Sequence, residues 1–171
     1  MLEVNDIPSL NPAVEWEAHL MISRPENFLD YKICGFNTII IHFEAFEDKA
    51  EIQSAVSEIK SLGLRPALCL KLETPVSIVK EFKDEVKHFQ LMSINPGFQG
   101  TPFFKETYER VKQLRQLIPD AIIEVDGGIG LANAKMILDS GANLIILGGA
   151  ITKAPNMLEA YEKISEEVNR K

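Results

Sequence analysis

The fold is decided by a short stretch, Ile122-Ile123-Glu124-Val125-Asp126-Gly127-Gly128, in which an apolar run ends in one acid and two glycines. The run is rich in β-branched residues, so it predicts a buried parallel strand, followed by a helix over 131–140. Asp126 then stands at the carboxyl end of the strand, where α/β enzymes keep their chemistry, and the glycines let backbone N–H groups approach an anion. Because Asp-Gly is also a common turn signal, a plain turn is the alternative interpretation.

Outward from this stretch, the chain alternates between predicted strands and predicted helices. The other strands are predicted at 17–21, 38–42, 67–70, 89–94 and 144–147, with a further candidate near 2–4; helices are predicted at 25–34, 48–62, 76–82, 103–117, 131–140 and 157–169. Such alternation predicts a parallel sheet covered by helices, either doubly wound or a (β/α) barrel. A full barrel usually needs about 200 residues or more, so these 171 residues predict an incomplete barrel in one domain, 1–171.

Composition excludes several classes of function. A chain of 171 residues with 46% hydrophobic content can bury a sizeable core, and its net charge of -7 disfavours nucleic acid as a partner. Cys34 and Cys69 stand far apart and outside any C-x-x-C motif, which favours reduced thiols in or near the core. The sequence shows neither a basic leader nor an apolar run of membrane-spanning length, so we expect a cytoplasmic protein that does not enter a membrane.

Five short motifs carry a family resemblance. They are, in chain order, His19-Leu20-Met21, His42-x-Glu44-Ala45, Met92-Ser93-Ile94-Asn95-Pro96-Gly97-Phe98, Val125-Asp126-Gly127-Gly128 and Gly148-Gly149-Ala150-Ile151. In order and spacing they resemble the ribulose-phosphate 3-epimerase family, over about residues 17–168. The resemblance implies an α/β, TIM-type (β/α) barrel, here incomplete at the N-terminus with about six or seven strands and lacking the first strand-helix unit. It also implies epimerisation of a pentulose 5-phosphate through a 2,3-enediolate, with a divalent metal (Zn, Fe, Mn or Co).

The reaction explains which residues the resemblance assigns to catalysis. Inverting a carbon next to a carbonyl requires one group to remove a proton from one face and another to return a proton to the opposite face. By resemblance, Asp126 is one acid/base group and Glu3 stands where the other is found. The implied metal ligands are His19, Asp126 and Glu3, and His19 also lies close to the substrate. A structural histidine at a strand end is the alternative for His19.

Other motif residues receive weaker assignments. Met21 and Met92 match methionines that line the metal pocket of the family, although core packing is the commoner role for methionine. His42 and Glu44 match a strand-end motif for which structural support is the favoured interpretation. His88 is interpreted as a surface residue that precedes a strand.

The predicted phosphate site consists of three glycine-bearing loops. By resemblance, these are the loop of Gly97, Phe98, Gln99 and Gly100, the turn Gly127-Gly128 and the turn Gly148-Gly149, which bind phosphate through backbone N–H groups. Gln99 replaces a usual glycine and Thr101 a usual glutamine. Gly149 replaces a common serine, so a hydroxyl is lost while the N–H remains.

The amino end departs most from the family. The second family strand carries His-x-Asp-x-Met-Asp-Gly, and residues 1–7 place Met1 at the histidine and Glu3 at the catalytic Asp, with a frayed terminus as the alternative. We therefore expect weakened epimerase activity and weak or absent metal binding. A non-catalytic phosphosugar-binding relative and an assembly subunit are the other two interpretations. Because an incomplete barrel leaves open sheet edges, we also expect a homo-oligomer.

Overall fold

Six parallel strands form one sheet in the computed structural model, which describes Ile7, residues 10–95 and residues 102–170. The strands are β1 (Glu17–Leu20), β2 (Thr38–His42), β3 (Arg65–Leu70), β4 (His88–Met92), β5 (Ile122–Asp126) and β6 (Leu144–Ile146). The strand order β1-β2-β3-β4-β5-β6 follows the chain. A doubly wound sheet reverses its order at a switch point, so this order belongs to a (β/α) barrel. The candidate strand near 2–4 lies outside the described residues.

The sheet is strongly curved. In a flat sheet, β1 and β5 would be four strand spacings apart, or about 19 Å. The Nδ1 atom of His19 on β1 instead lies 3.4 Å from Oδ2 of Asp126 on β5. Likewise, Glu17 Oε1 on β1 lies 3.9 Å from His88 Nδ1 on β4. The described strands therefore form a half-barrel whose inner face brings distant strands together, with β1 and β6 as its edges.

Helices connect the strands. They are α1 (Phe28–Cys34), α2 (Lys49–Ser61), α3 (Thr107–Leu117), α4 (Ala134–Asp139), α5 (Gly149–Thr152) and α6 (Met157–Val168), with 3-10 helices at Phe43–Ala45 and Val76–Glu81. The Asp48 side chain caps α2 by accepting from the Glu51 N–H at 3.0 Å, and α1 ends at Gly35, whose φ is 98°. No helix among the described residues is long and apolar enough to cross a bilayer.

The helix predicted at 76–82 is a 3-10 helix at Val76–Glu81. Val76, Val79 and Phe82 are all buried. Their three-residue spacing matches the three residues per turn of a 3-10 helix, so each turn presents the same face to the core. An apolar pattern of this length does not distinguish the two helix types by itself.

The two faces of the sheet bury different kinds of residue. The outer face supplies Ile39, Ile41, Leu68, Leu70, Phe89, Leu91, Ile123 and Val125 to the main core beneath the helices. The inner face has a small apolar cluster of Ile40, Ala67, Cys69 and Met92. The remaining inner positions are largely polar, which is the composition of a binding site rather than of a closed core.

His88 is not a surface residue, so its sequence-based interpretation is wrong. It is the first residue of β4 and is only 7% exposed, because it points to the inner face and contacts Glu124 on β5. The prediction for the cysteines is closer: Cys69 is buried and Cys34 is partly buried. Both lie in the described part of the chain, and they are not joined in a disulfide.

Candidate active site

Two histidines and two carboxylates form a continuous line at the carboxyl ends of the strands. His19 Nδ1 lies 3.4 Å from Asp126 Oδ2, His19 Nε2 lies 2.8 Å from His42 Nε2, and His42 Nδ1 lies 3.5 Å from Glu44 Oε2. The imidazole rings are stacked, with centroids 4.9 Å apart and planes 15° apart. These contacts join β5, β1 and the end of β2 across the half-barrel, in the order Asp126, His19, His42, Glu44.

Glu44 is the anchored end of this line. Its Oε1 accepts the Lys71 N–H at 2.9 Å and also the Thr74 hydroxyl. Burial alone would raise its pKa, but the nearby His42 ring and the hydrogen bonds from Thr74 and the Lys71 N–H outweigh that effect and hold the pKa at about 2. Glu44 is therefore ionised at neutral pH.

Asp126 is held by the turn that follows it. The Ser93 N–H donates to the Asp126 carbonyl at 2.8 Å, and the Ser93 hydroxyl lies 2.9 Å from the same oxygen and 2.5 Å from the Gly127 carbonyl. Gly127 has a φ of 116°, and a Cβ there would lie 2.4 Å from Ile94 Cγ1. Only glycine fits this conformation and space, so the turn places Asp126 at the rim.

The predicted glycine turns share a cavity with Asp126. The cavity, of about 430 Å³, is lined by Asp126, Gly127, Gly128, Gly148 and Gly149 together with Lys153 and neighbouring apolar residues. Asn133 supports it, because its Nδ2 donates to the Gly128 carbonyl at 3.0 Å and its Oδ1 accepts the Gly130 N–H at 2.8 Å. Gly97, Phe98, Gln99 and Gly100 lie outside the described residues, as does Glu3.

The two predicted pocket methionines are placed differently. Met92 is buried beside Cys69 and is in register with Asp126 across β4 and β5. Met21 is half exposed and lines a separate cavity of about 290 Å³ with His42, Glu44 and Lys71. Burial, together with Glu44, Asp126 and Glu124, raises the pKa of the Cys69 thiol well above its ordinary value, which keeps it protonated and unreactive.

A second polar cluster lies nearer the amino ends of the strands. His88 Nε2 lies 2.8 Å from Glu124 Oε2, and Gln90 Nε2 donates to Glu124 Oε1 at 2.7 Å. Burial would raise the pKa of Glu124, but its contacts with His88 and Gln90 lower it. The pKa of Glu17 is raised by burial and by the nearby Glu124. This arrangement fixes the buried Glu124 carboxylate between His88 and Gln90 within the half-barrel.

His19 and Asp126 fit a divalent metal. Imidazole nitrogen and carboxylate oxygen are ligands that Zn²⁺ and similar ions accept. Two ligands about 2.0–2.2 Å from one tetrahedral ion are separated by roughly 3.4 Å, which is the observed distance from His19 Nδ1 to Asp126 Oδ2. Potential ligand atoms also converge in two groups, His19 with His42 and Cys69, and Glu17 with His88 and Glu124, each within 4.8 Å.

Comparison with known proteins identifies the family. The sequence model of the Ribulose-phosphate 3 epimerase family matches residues 2–152. The chain belongs to the ribulose-phosphate 3-epimerase family. It is 32% identical over 165 residues to the chloroplastic ribulose-5-phosphate-3-epimerase of Arabidopsis thaliana, covering 92% of this chain and 58% of that protein. It is 30% identical over 166 residues to the ribulose-phosphate 3-epimerase of Eremothecium gossypii, covering 96% of this chain and 68% of that protein.

The chain is shorter than the epimerases it matches, spanning 58% and 68% of the two compared above.

Solved structures agree on the fold. The 3-hexulose-6-phosphate synthase of Salmonella typhimurium matches with a TM-score of 0.72 at 19% identity, covering 92% of this chain and 74% of that chain. The orotidine 5'-phosphate decarboxylase of Pyrococcus horikoshii matches with a TM-score of 0.65 at 21% identity, covering 91% and 74%. These likenesses confirm a half-barrel of the TIM type.

Several residues of the site were not predicted from the sequence. Ser93 and Asn133 hold the glycine turns, and Thr74 fixes Glu44, yet each is a common polar residue in a loop. Lys153 follows Gly149 by one helical turn, which could have indicated that its side chain reaches the same cavity. The line from Asp126 to Glu44 could not be found by spacing, because its members come from three strands.

Proposed function

We propose that this chain is an epimerase of a pentulose 5-phosphate, with Asp126 as one of the two acid/base groups. The observation that carries the proposal is the 3.4 Å approach of Asp126 to His19 at the rim of the half-barrel, beside a cavity lined by glycine turns. Under this proposal, a proton-transfer group, a ligand for a cation and an anion-binding surface would lie within reach of one small substrate.

In the proposed reaction, Asp126 exchanges the proton on carbon 3 from one face of the sugar. The Ser93 contacts to the main-chain carbonyls of Asp126 and Gly127 hold the backbone that carries the carboxylate, so little backbone reorganisation is needed when the proton moves. The opposite face requires a second acid/base group, and Glu3 is our candidate. Because a Glu there replaces the usual Asp, we propose reduced epimerase activity for these 171 residues.

A divalent metal would be held by His19 and Asp126, with Glu3 as the proposed third ligand. When bound, it would supply Lewis-acid stabilisation of the negative charge that develops on the two oxygens of the enediolate. His19 would orient the substrate on the β1 side. The neighbouring apolar cluster, which includes Met92, would limit the access of water from below.

The substrate phosphate is proposed to bind at the glycine turns. Gly128 and Gly149 would present backbone N–H groups, and Lys153 adds a positive charge to the same cavity. The loop of Gly97 to Gly100 completes the proposed set. Calorimetric titration with ribulose 5-phosphate and with unphosphorylated ribulose tests the site, and equal, negligible binding of both would contradict it.

A non-catalytic phosphosugar-binding protein is the second candidate, favoured by the phosphate cavity, which does not depend on Glu3. The two functions are separated by exchange of the carbon 3 proton with deuterium from solvent, followed by NMR. We expect slow exchange in the parent chain and a loss of about 10² to 10⁴ in rate in Asp126→Asn. Asp139→Asn is the control, because within the described part of the chain this exposed carboxylate forms its ion pair with Lys135 on α4. Sugar phosphate binding without exchange in the parent would favour the binding protein.

The open edges suggest a homo-oligomer. Three apolar residues near β6 or on the inner face are partly open to solvent, namely Ile122, Leu144 and Ile146, which are 42%, 42% and 38% exposed. Exposed apolar faces beside unpaired strand edges favour association. We therefore propose that a second copy covers this part of the half-barrel.

A further inference from the structure

Glu44 and His42 lie on the Nε2 side of the His19 ring, away from the Nδ1 atom that faces Asp126. His42 Nδ1 and Glu44 Oε2 are both buried, and neither has a hydrogen-bond partner closer than the 3.5 Å between them among the described residues. Glu44 Oε2 is an ionised acceptor. The N–H that satisfies it must come from His42 Nδ1, because two buried acceptors facing each other would repel.

The proton on His42 Nδ1 determines the next hydrogen bond. A neutral imidazole has one N–H and one lone pair, so His42 Nε2 must accept. Its neighbour at 2.8 Å is His19 Nε2, which must therefore donate. His19 Nδ1 is then left with a lone pair directed towards Asp126 Oδ2 at 3.4 Å. Two acceptors facing each other at this end are satisfied by a cation.

The reverse arrangement of protons is less favourable. If His19 Nδ1 donated to Asp126, His42 Nε2 would have to donate to His19, and the His42 Nδ1 lone pair would face ionised Glu44. That repulsion would lie between two buried atoms, His42 Nδ1 and Glu44 Oε2, although the Glu44 side chain as a whole is 20% exposed. In the first arrangement it lies at the open end, where His19 is 16% and Asp126 is 20% exposed and an ion can enter.

We propose that Glu44 and His42 are positioning residues that fix the proton of His19 on Nε2 and leave its Nδ1 free to bind a divalent cation together with Asp126. This role rests on the proposed function only for the presence of a metal. Such outer partners of a histidine ligand typically change metal affinity by 10- to 100-fold when they are replaced. The anchoring of Glu44 by the Lys71 N–H and the Thr74 hydroxyl extends the same network to the loop that follows β3.

Glu44→Gln is designed to reverse the line of protons. The Lys71 N–H and the Thr74 hydroxyl both reach Oε1, so the amide oxygen of glutamine belongs at that position. Its NH₂ group then replaces Oε2 and donates to His42 Nδ1. His42 Nε2 must donate in turn, and His19 Nδ1 acquires the proton. Glu85→Gln is the matched control, because Glu85 is a partly buried carboxylate that accepts from Gln53 Nε2 at 2.9 Å away from this line.

The test is long-range proton–nitrogen NMR of the histidine rings in metal-free protein, at a pH well above the ordinary histidine pKa of about 6.5. The chain has three histidines, and His88→Gln removes the one outside this line. We expect the parent and Glu85→Gln to carry protons on His19 Nε2 and His42 Nδ1, and Glu44→Gln to show the reverse. Titration with Zn²⁺ alone should show affinity 10- to 100-fold weaker in Glu44→Gln.

Because the parent spectrum needs no variant, the proposal stays testable even if Glu44→Gln fails to fold. A proton on His19 Nδ1 in the parent would overturn it. Unchanged protons and Zn²⁺ affinity in a folded Glu44→Gln would do the same, and a parent that binds no Zn²⁺ would overturn the role in metal binding. If the protons lie where we predict and the parent binds Zn²⁺, but the carbon 3 proton of the sugar does not exchange with solvent, the proposal would be supported while the proposed function would be contradicted.

Discussion

Among the described glycines, Gly127 has the least room for a side chain. Alanine there would combine a φ of 116° with a Cβ 2.4 Å from Ile94 Cγ1 and 3.2 Å from the Ile94 backbone nitrogen. Since backbone strain and overpacking each cost about 1–3 kcal/mol, we expect Gly127→Ala to lower the free energy of unfolding by about 2–5 kcal/mol. Gly149→Ala is the control, because its Cβ would meet only the Lys153 side chain at 3.6 Å. Equal stability of the two variants in urea would contradict this assignment.

Glu44 should make the fold sensitive to acid. Its folded pKa of about 2 lies below the ordinary value of 4.5, so its stabilising contribution is complete above 4.5 and is lost as the pH falls towards 2. After allowance for partial exposure, this contribution is on the order of 2 kcal/mol. The advantage of the parent over Glu44→Gln in urea unfolding should therefore be present at pH 7 and shrink through this window. A difference that stays constant from pH 7 to pH 2 would contradict the prediction.

At the residue scale, sequence reasoning found the ends of strands but not the contacts between them. Asp126, His19 and the glycine turns could be singled out because each belongs to a local motif. His88 could not, since a histidine before a strand is usually exposed, and only the curvature of the sheet brings Glu124 within 2.8 Å of it. The importance of Glu44 likewise depends on Lys71 and Thr74, which belong to another part of the chain.

At the scale of elements, α3 stabilises the loop that follows β3. Arg110 on α3 donates to the carbonyls of Lys71, Leu72 and Thr74 at 2.7–2.9 Å. Burial lowers the pKa of Arg110, although Glu44 and Glu73 partly oppose this effect. The helix therefore holds the same loop whose N–H and hydroxyl groups anchor Glu44.

Arg110→Met should release this loop. Hydrogen bonds to a charged group contribute about 1.5–3 kcal/mol each and are not additive, so we expect a loss of about 2–4 kcal/mol in the free energy of unfolding. Arg110→Lys should be intermediate, because lysine keeps the charge but lacks the planar fork. Lys112→Met is the control on the same helix, where an exposed pair with Glu109 contributes less than about 1 kcal/mol. An Arg110→Met variant as stable as Lys112→Met would refute the role of α3.

Strands were predicted more closely than helix starts. Thr38–His42 and Ile122–Asp126 agree with prediction at both ends, because a continuous, mostly apolar run that is buried on both faces marks each strand along its length. α3 begins at Thr107 and α4 at Ala134, each several residues later than the sequence suggested. Neither helix has a side-chain cap in the structure, so the signal that normally locates a helix start was missing.

At the scale of the whole molecule, the sequence left a doubly wound sheet and a barrel as alternatives. Local patterns decide that strands and helices alternate, whereas the order of strands depends on long-range packing. The structure resolves this through the unbroken order from β1 to β6. Six strands of the predicted six or seven lie within the described residues.

The open half-barrel also predicts assembly. With Ile122, Leu144 and Ile146 each more than a third exposed near one edge, light scattering should give a mass above that of the 19.2 kDa chain. Ile146→Lys should shift the equilibrium towards the monomer, because a charge disfavours burial of this edge. Lys112→Met, on an outer helix, is the control. A monomeric mass at high protein concentration would contradict the prediction.

The order of strands along the chain has a consequence for how the protein is made. Because each of the six described strands pairs with its neighbours in the chain, the half-barrel can lengthen unit by unit as the nascent chain emerges, with short loops to close at each step. The histidine pair of β1 and β2 is complete well before β5 has been synthesised. Asp126, the proposed acid/base group, arrives only with β5, so under the proposed function the emerging chain would gain this group only after most of it has left the ribosome.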